Sequence, residues 1–136
     1  MKLISYILGL LFAVMMYGNL PAQADTNNIS INWECLNLTE KQEQKFALFD
    51  QDWEKIQTII RPKLTRDQER LKLMLTNPNI SDTQIKELQK QIFIRQEQLR
   101  YYALNNFLSK RRLLTPNQRI MLHEMFLIQY QLKKTN

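Results

Sequence analysis

Beyond residue 24 the chain contains no glycine; Gly9 and Gly18 are the two in the sequence. Without residues that take positive φ freely, two-residue hairpins, tight-turn β folds and phosphate-cradling loops are all disfavoured. Histidine and cysteine are nearly as scarce. His123 and Cys35 stand alone and most of the chain apart, which denies the sequence a Cys/His nucleophile pair or a Ser-His-Asp order. A zinc site wants three or four nitrogen, sulfur or oxygen ligands, and no His/Cys cluster supplies them. A lone cysteine also excludes an intrachain disulfide. The expectation is an all-α protein that is not an enzyme and carries no cofactor or resident metal.

Residues 1–24 have a different character from the rest. Lys2 precedes an apolar run from Leu3 to Tyr17, and Ala22-Gln23-Ala24 is a small-x-small cleavage site. That is the pattern of a cleaved secretory signal peptide. The apolar run is short for a bilayer span, and Cys35 lies well past the cleavage region, against a lipoprotein. The chain left after cleavage starts at Asp25, with a flexible leader over 25–37, a helical domain over 38–133 and a short tail, 134–136. Losing Lys2 leaves 18 Lys plus Arg against 13 Asp plus Glu, a net +5. In an oxidising compartment Cys35 is either a free thiol beside Trp33 or a candidate interchain disulfide. Export removes nucleic acid as a partner for the basic charge and leaves weak contact with an anionic membrane surface as a secondary expectation.

Four short stretches read as helix starts. Leu114-Thr115-Pro116-Asn117-Gln118 is the most complete: Thr115 as N-cap, Pro116 at the first helical position, and Gln118 reaching back to the Thr115 N–H. The same order, an aliphatic residue, then Thr or Ser, then Gln three residues on, recurs at Leu38–Gln42, Leu64–Gln68 and Ile80–Gln84. Ile80 and Ile85 add the two ends of a hydrophobic staple to the third of these. Four starts predict four helices.

The first runs from Glu40 to about Ile60, with Phe46, Phe49, Trp53, Ile56 and Ile60 stepping down one face. Pro62 separates it from a short second helix carrying Leu64, Leu71, Met74 and Leu75, which ends at Thr76-Asn77-Pro78-Asn79. The third, Asp82 to about Arg112, is the longest at roughly 45 Å. It bears one stripe of Ile85, Leu88, Ile92, Leu99, Ala103 and Phe107 and a second of Ile94, Tyr101, Leu104 and Leu108. Lys110, Arg111 and Arg112 at its end complement the helix dipole. The last, Pro116 to about Lys133, sets Met121, Met125, Ile128 and Leu132 on one seam with Leu122, Phe126 and Leu127 beside it. These faces exceed what one small domain can hide, and homodimerisation through the long helix would cover one of its two stripes.

Paired Leu-Thr-x-x-Gln boxes, one at Leu38–Gln42 and one at Leu114–Gln118, with this order of signal peptide, boxed helix, proline break, short helix, long helix and boxed helix, resemble the Spy/CpxP family of periplasmic proteins. The resemblance spans nearly the whole chain after the leader, although Leu64–Gln68 is an extra match outside the family pattern. It implies a periplasmic, cradle-shaped, all-helical antiparallel homodimer acting as an ATP-independent chaperone on unfolded or misfolded envelope proteins. Some members instead restrain an envelope-stress sensor kinase by its ectodomain, and related proteins bind zinc, nickel or cobalt, so the resemblance gives a regulator of such a kinase or a periplasmic metal-responsive sensor as the alternative functions. Leu38, Thr39, Gln42, Leu114, Thr115 and Gln118 fall on the motif positions, with a structural role at two helix ends.

A holdase needs apolar patches mixed with charge: basic residues attract clients at long range and apolar ones hold them at short range. The candidate client-binding residues on this reasoning are Arg61, Lys63, Arg66, Arg70, Arg95, Arg100, Met121 and Met125.

Overall fold

The computed structural model describes residues 31–135. The signal peptide expected over 1–24 and the first part of the leader lie outside them. The described residues are all-helical: a 3-10 turn over Trp33–Leu36, then α1 (Glu40–Thr76), α2 (Asp82–Leu113) and α3 (Pro116–Lys134).

Three of the four start signals hold, each as a complete capping box. Thr39 N–H donates to Gln42 Oε1 at 2.9 Å and Gln42 N–H returns to Thr39 Oγ1 at 3.2 Å. Ser81 and Gln84 exchange the same two bonds at 3.0 and 3.3 Å, and Thr115 and Gln118 at 2.9 and 3.2 Å. α1, α2 and α3 therefore start at Glu40, Asp82 and Pro116, as the sequence predicts. Each box satisfies two of the backbone groups that a helix terminus otherwise leaves orphaned.

The fourth signal fails, and with it the four-helix count. Leu64–Gln68 lies inside α1, with Pro62 as an interior residue, so the expected first and second helices are one. An interior proline costs about 3 kcal/mol in an unsupported helix. Here the ring is on an exposed position, as is Thr58, whose carbonyl loses its usual donor four residues on. Water can solvate that carbonyl. Beyond the proline, Leu64 and Met74 are buried on the same side as Trp53, and each is worth about 1.5–3 kcal/mol against exposure. Continuity of the buried stripe outweighs the proline. Thr65 and Gln68 are simply exposed mid-helix residues.

Within the expected leader over 25–37, Trp33–Leu36 form a 3-10 turn. Asn32 Oδ1 accepts from Glu34 N–H at 3.2 Å, opening the 3-10 turn, and Asn37, at φ 51°, closes it. Trp33 and Leu36 are buried, Leu36 completely. Their i, i+3 spacing puts both on one side of a 3-10 turn. Packed structure is thus present ahead of the first box.

The described residues divide into two compact units, 31–47 with 107–135, and Leu48–Asn106. The core of the first is Trp33, Leu36, Phe46 and Leu114, with Ile31, Leu38, Phe107, Met121, Leu122 and Met125 against it. Trp33 meets Phe46 edge-on, ring centroids 5.2 Å apart, and Phe107 at 6.0 Å. The second unit is an antiparallel helical hairpin. Its turn is held by Asn77 Oδ1, which accepts from Asn79 N–H at 2.9 Å, and by Ile80 N–H on the Asn77 carbonyl at 3.2 Å. Trp53, Leu64 and Met74 from α1 and Leu88, Ile92, Leu99 and Ala103 from α2 are its buried apolar residues. Asp67 pairs with Arg95 across it, and Asn106 Nδ2 donates to the Phe49 carbonyl at 2.8 Å.

Candidate functional site

The two Leu-Thr-x-x-Gln boxes are joined through their glutamines. Gln42 Nε2 donates to Gln118 Oε1 at 2.8 Å, and Gln118 Nε2 donates back to Gln42 Oε1 at 3.0 Å. A primary amide offers two hydrogens and two lone pairs, and here they are all used. Gln42 Oε1 also accepts from Thr39 N–H, and its Nε2 gives its other hydrogen to the Leu113 carbonyl at 2.8 Å. Gln118 Oε1 also accepts from Thr115 N–H, while its Nε2 reaches the Leu36 and Asn37 carbonyls, both at 3.3 Å. Turning either amide over would set donor against donor at the helix start, so the network fixes both orientations. Gln118 is buried, and Leu114 of the same box is in the core.

Capping alone was legible in the sequence; the joining of the boxes was not. The available signal was the repetition itself, since two identical boxes present identical amides. The arrangement holds no nucleophile, acid or base. Its chemistry is cohesion: the end of the 3-10 turn, the start of α1, the end of α2 and the start of α3 are tied at one place.

In the same unit, the sequence pointed to Lys110 only as a complement to the helix dipole. Lys110 is 1% exposed, its Nζ 5.3 Å from the Trp33 ring and 5.4 Å from the Phe46 ring. Aromatic faces carry the negative side of the ring quadrupole and attract an ammonium, most strongly where water is excluded. Its register was the overlooked clue: Lys110 falls seven residues after Ala103 and eleven after Leu99, on the buried stripe of α2.

The candidate client-binding residues separate into two groups. Lys63, Arg66 and Arg70 are exposed. Arg61 is half-buried and donates through Nε to Gln57 Oε1 at 2.8 Å. Arg95 and Arg100 are half-buried and engaged with Asp67 and Glu97. Met121 and Met125 rest against the core of the first unit. Cys35 is exposed. Among the described residues, no group of three or more His, Cys, Asp or Glu is placed to hold a metal ion.

Apolar side chains also remain outside. On α2 within the second unit, Phe93, Ile94, Tyr101 and Leu104 are exposed, and at 3.6 residues per turn they fall on the side opposite Leu88, Ile92 and Leu99. Three of the four were read from sequence as a second apolar stripe; Phe93, eleven residues before Leu104 and within about 20° of it around the helix, belongs to the same face and was missed. The same unit has an open recess of about 430 Å³ lined by Met74, Ile80 and Leu88 with Arg70 and Glu87. Compared with protein-family models, curated proteins and solved structures, the chain matches none.

Proposed function

We propose that this chain is an ATP-independent holdase of the cell envelope, which captures unfolding proteins and keeps them from aggregating. The observation that carries the reading is the outer face of α2, where Phe93, Ile94, Tyr101 and Leu104 stand exposed. On the same unit, exposed Lys63, Arg66 and Arg70 supply positive charge. Apolar surface of this kind in a water-soluble domain marks an interaction site, and neighbouring positive charge draws in partners before apolar contact holds them. The paired boxes and their resemblance to the Spy/CpxP family support the same assignment, and the leader-like residues 1–24 support export to the periplasm. An antiparallel homodimer, with the cradle that the resemblance implies, belongs to this proposal: part of the α2 stripe joins two copies and part is left for guests.

The test is suppression of aggregation of an unrelated unfolding protein by the purified chain without nucleotide. Suppression near one-to-one stoichiometry is expected, weakening with salt and falling further in Ile94→Ser/Tyr101→Ser. No suppression at excess chain overturns the reading. Saturable binding to one sensor-kinase ectodomain, with no effect on aggregation, would replace it with a regulatory role.

A further inference from the structure

The first half of α3 is held in place: Gln118 is buried, and Met121, Leu122 and Met125 rest on the core of their unit. After Met125 the helix continues to Lys134 with apolar side chains in the open. Phe126, Leu127, Ile128, Tyr130 and Leu132 are all exposed, Ile128 at 58% and Leu132 at 61%. Only Gln129 and Gln131 interrupt them.

Their distribution around the helix decides what kind of partner fits. Ile128 and Leu132 are one turn apart on one side. Phe126 and Tyr130, also one turn apart, lie roughly 160–200° around from them, with Leu127 next to Tyr130. A partner helix or protein groove accepts an apolar stripe a little over about 100° wide, so it would cover one pair and leave the other wet. A lipid surface can receive both, taking the aliphatic pair among its upper acyl chains and the aromatic pair at the boundary with the headgroups.

The charge has one sign. Glu124 is the last acidic residue, and Lys133 and Lys134 close the helix. Lys134 Nζ lies 5.6 Å from the Tyr130 ring, placing an aromatic ring with a polar tip next to an ammonium, the combination favoured where hydrocarbon meets lipid headgroups. Exposed Arg111, Arg112 and Arg119 add to the positive charge of the same unit. Residues 126–134 extend only about 14 Å, less than half of a bilayer core, and among the described residues no helix is long and apolar enough to cross a membrane.

We propose that the second half of α3 is an interfacial anchor for anionic phospholipid, seating Ile128 and Leu132 among the upper acyl chains, with Phe126 and Tyr130 at the headgroup boundary and Lys133 and Lys134 at the phosphates. The inference is independent of the holdase reading, because it uses a different unit and a different face.

The test is flotation of the chain from Asp25 onwards with phosphatidylcholine vesicles containing about one-third phosphatidylglycerol, against phosphatidylcholine alone. A Tyr130→Trp variant reports the local environment. The chain should float with the anionic vesicles and much less with the neutral ones, and the tryptophan emission should move to the blue on binding. Raising salt should lower partitioning, Lys133→Gln/Lys134→Gln by about tenfold. Ile128→Ser/Leu132→Ser should abolish it while the circular dichroism stays helical. Any of three results overturns the proposal: no flotation with anionic vesicles, unchanged emission from Tyr130→Trp when they are added, or flotation indifferent to both pairs of substitutions. A concentration-dependent doubling of mass, lost in Ile128→Ser/Leu132→Ser and without vesicle binding, would instead assign the face to a second copy.

Discussion

Removing the Gln118 amide tests the joined boxes directly. Gln118→Ala deprives Thr115 N–H and Gln42 Nε2 of their acceptor, and removes the donor to Gln42 Oε1 and to the Leu36 and Asn37 carbonyls. Two hydrogens cannot serve three acceptors fully, so about four complete bonds are lost, each worth about 1 kcal/mol net. Several of the partners are near solvent and can recover part of this from water, and releasing a fixed glutamine returns about 1–2 kcal/mol of side-chain entropy. The expected cost is therefore about 2–3 kcal/mol, or a melting temperature lower by about 10–20 °C in a domain of this size. Gln42→Ala, at a less buried position, should cost about 1–2 kcal/mol. Because the amide–amide bonds are counted in both single substitutions, the double variant should fall short of additivity by about 1 kcal/mol or more. Urea titrations followed at 222 nm measure all three. Gln84→Ala and Gln68→Ala serve as controls: the first breaks a purely local box and should cost about 0.5–1 kcal/mol, the second touches an exposed mid-helix residue and should be within about 0.5 kcal/mol of neutral. A Gln118→Ala cost below about 0.5 kcal/mol, or strict additivity with Gln42→Ala, would refute the claim that the boxes are coupled.

Gln118→Glu replaces the donating nitrogen by an oxygen facing the Leu36 and Asn37 carbonyls and Gln42 Oε1. These acceptors favour the protonated acid in the folded state, raising its pKa above the unfolded value, so the variant's deficit in urea titrations should be largest near neutral pH and shrink as pH falls towards about 4. Lys110→Glu puts a negative charge against two ring faces and should destabilise by at least about 3 kcal/mol, read by the same titration. Asn37→Val forces a β-branched residue to φ 51° and should destabilise by about 1 kcal/mol or more, lowering the urea midpoint, while Asn37→Gly should be close to neutral. Pro62→Ala, at an exposed helix interior position, should stabilise by up to about 3 kcal/mol and so raise the melting temperature with no change in helix content; a lower melting temperature would show that the proline is favoured in place.

The parts of the fold that could be read from the sequence are those governed by local rules. The three working boxes and the turn at Asn77–Asn79 depend on neighbours within four residues, and their chemistry is written in consecutive letters. Pro62 misled because a local rule met a non-local one: the apolar register of Leu64 and Met74 with Trp53 decides the outcome, and it becomes visible only once α2 is there to bury it. The Gln42–Gln118 pair spans 76 positions and Lys110 is enclosed by Trp33 and Phe46 from distant parts of the chain, so neither could follow from propensity. Among the candidate client-binding arginines, Arg95 looked free because its partner, Asp67, is 28 residues away on another helix.

The glutamine pair also fastens a long circuit of chain without any covalent bond. A disulfide spanning 76 positions would restrict the denatured chain by an amount worth about 4 kcal/mol. Two amides give no such restriction: they let go completely on melting, whatever the redox state of their surroundings, and must be found again each time the protein refolds. A chain with a single cysteine is thereby closed upon itself by a fastening that no oxidase has to make and no reductant can open.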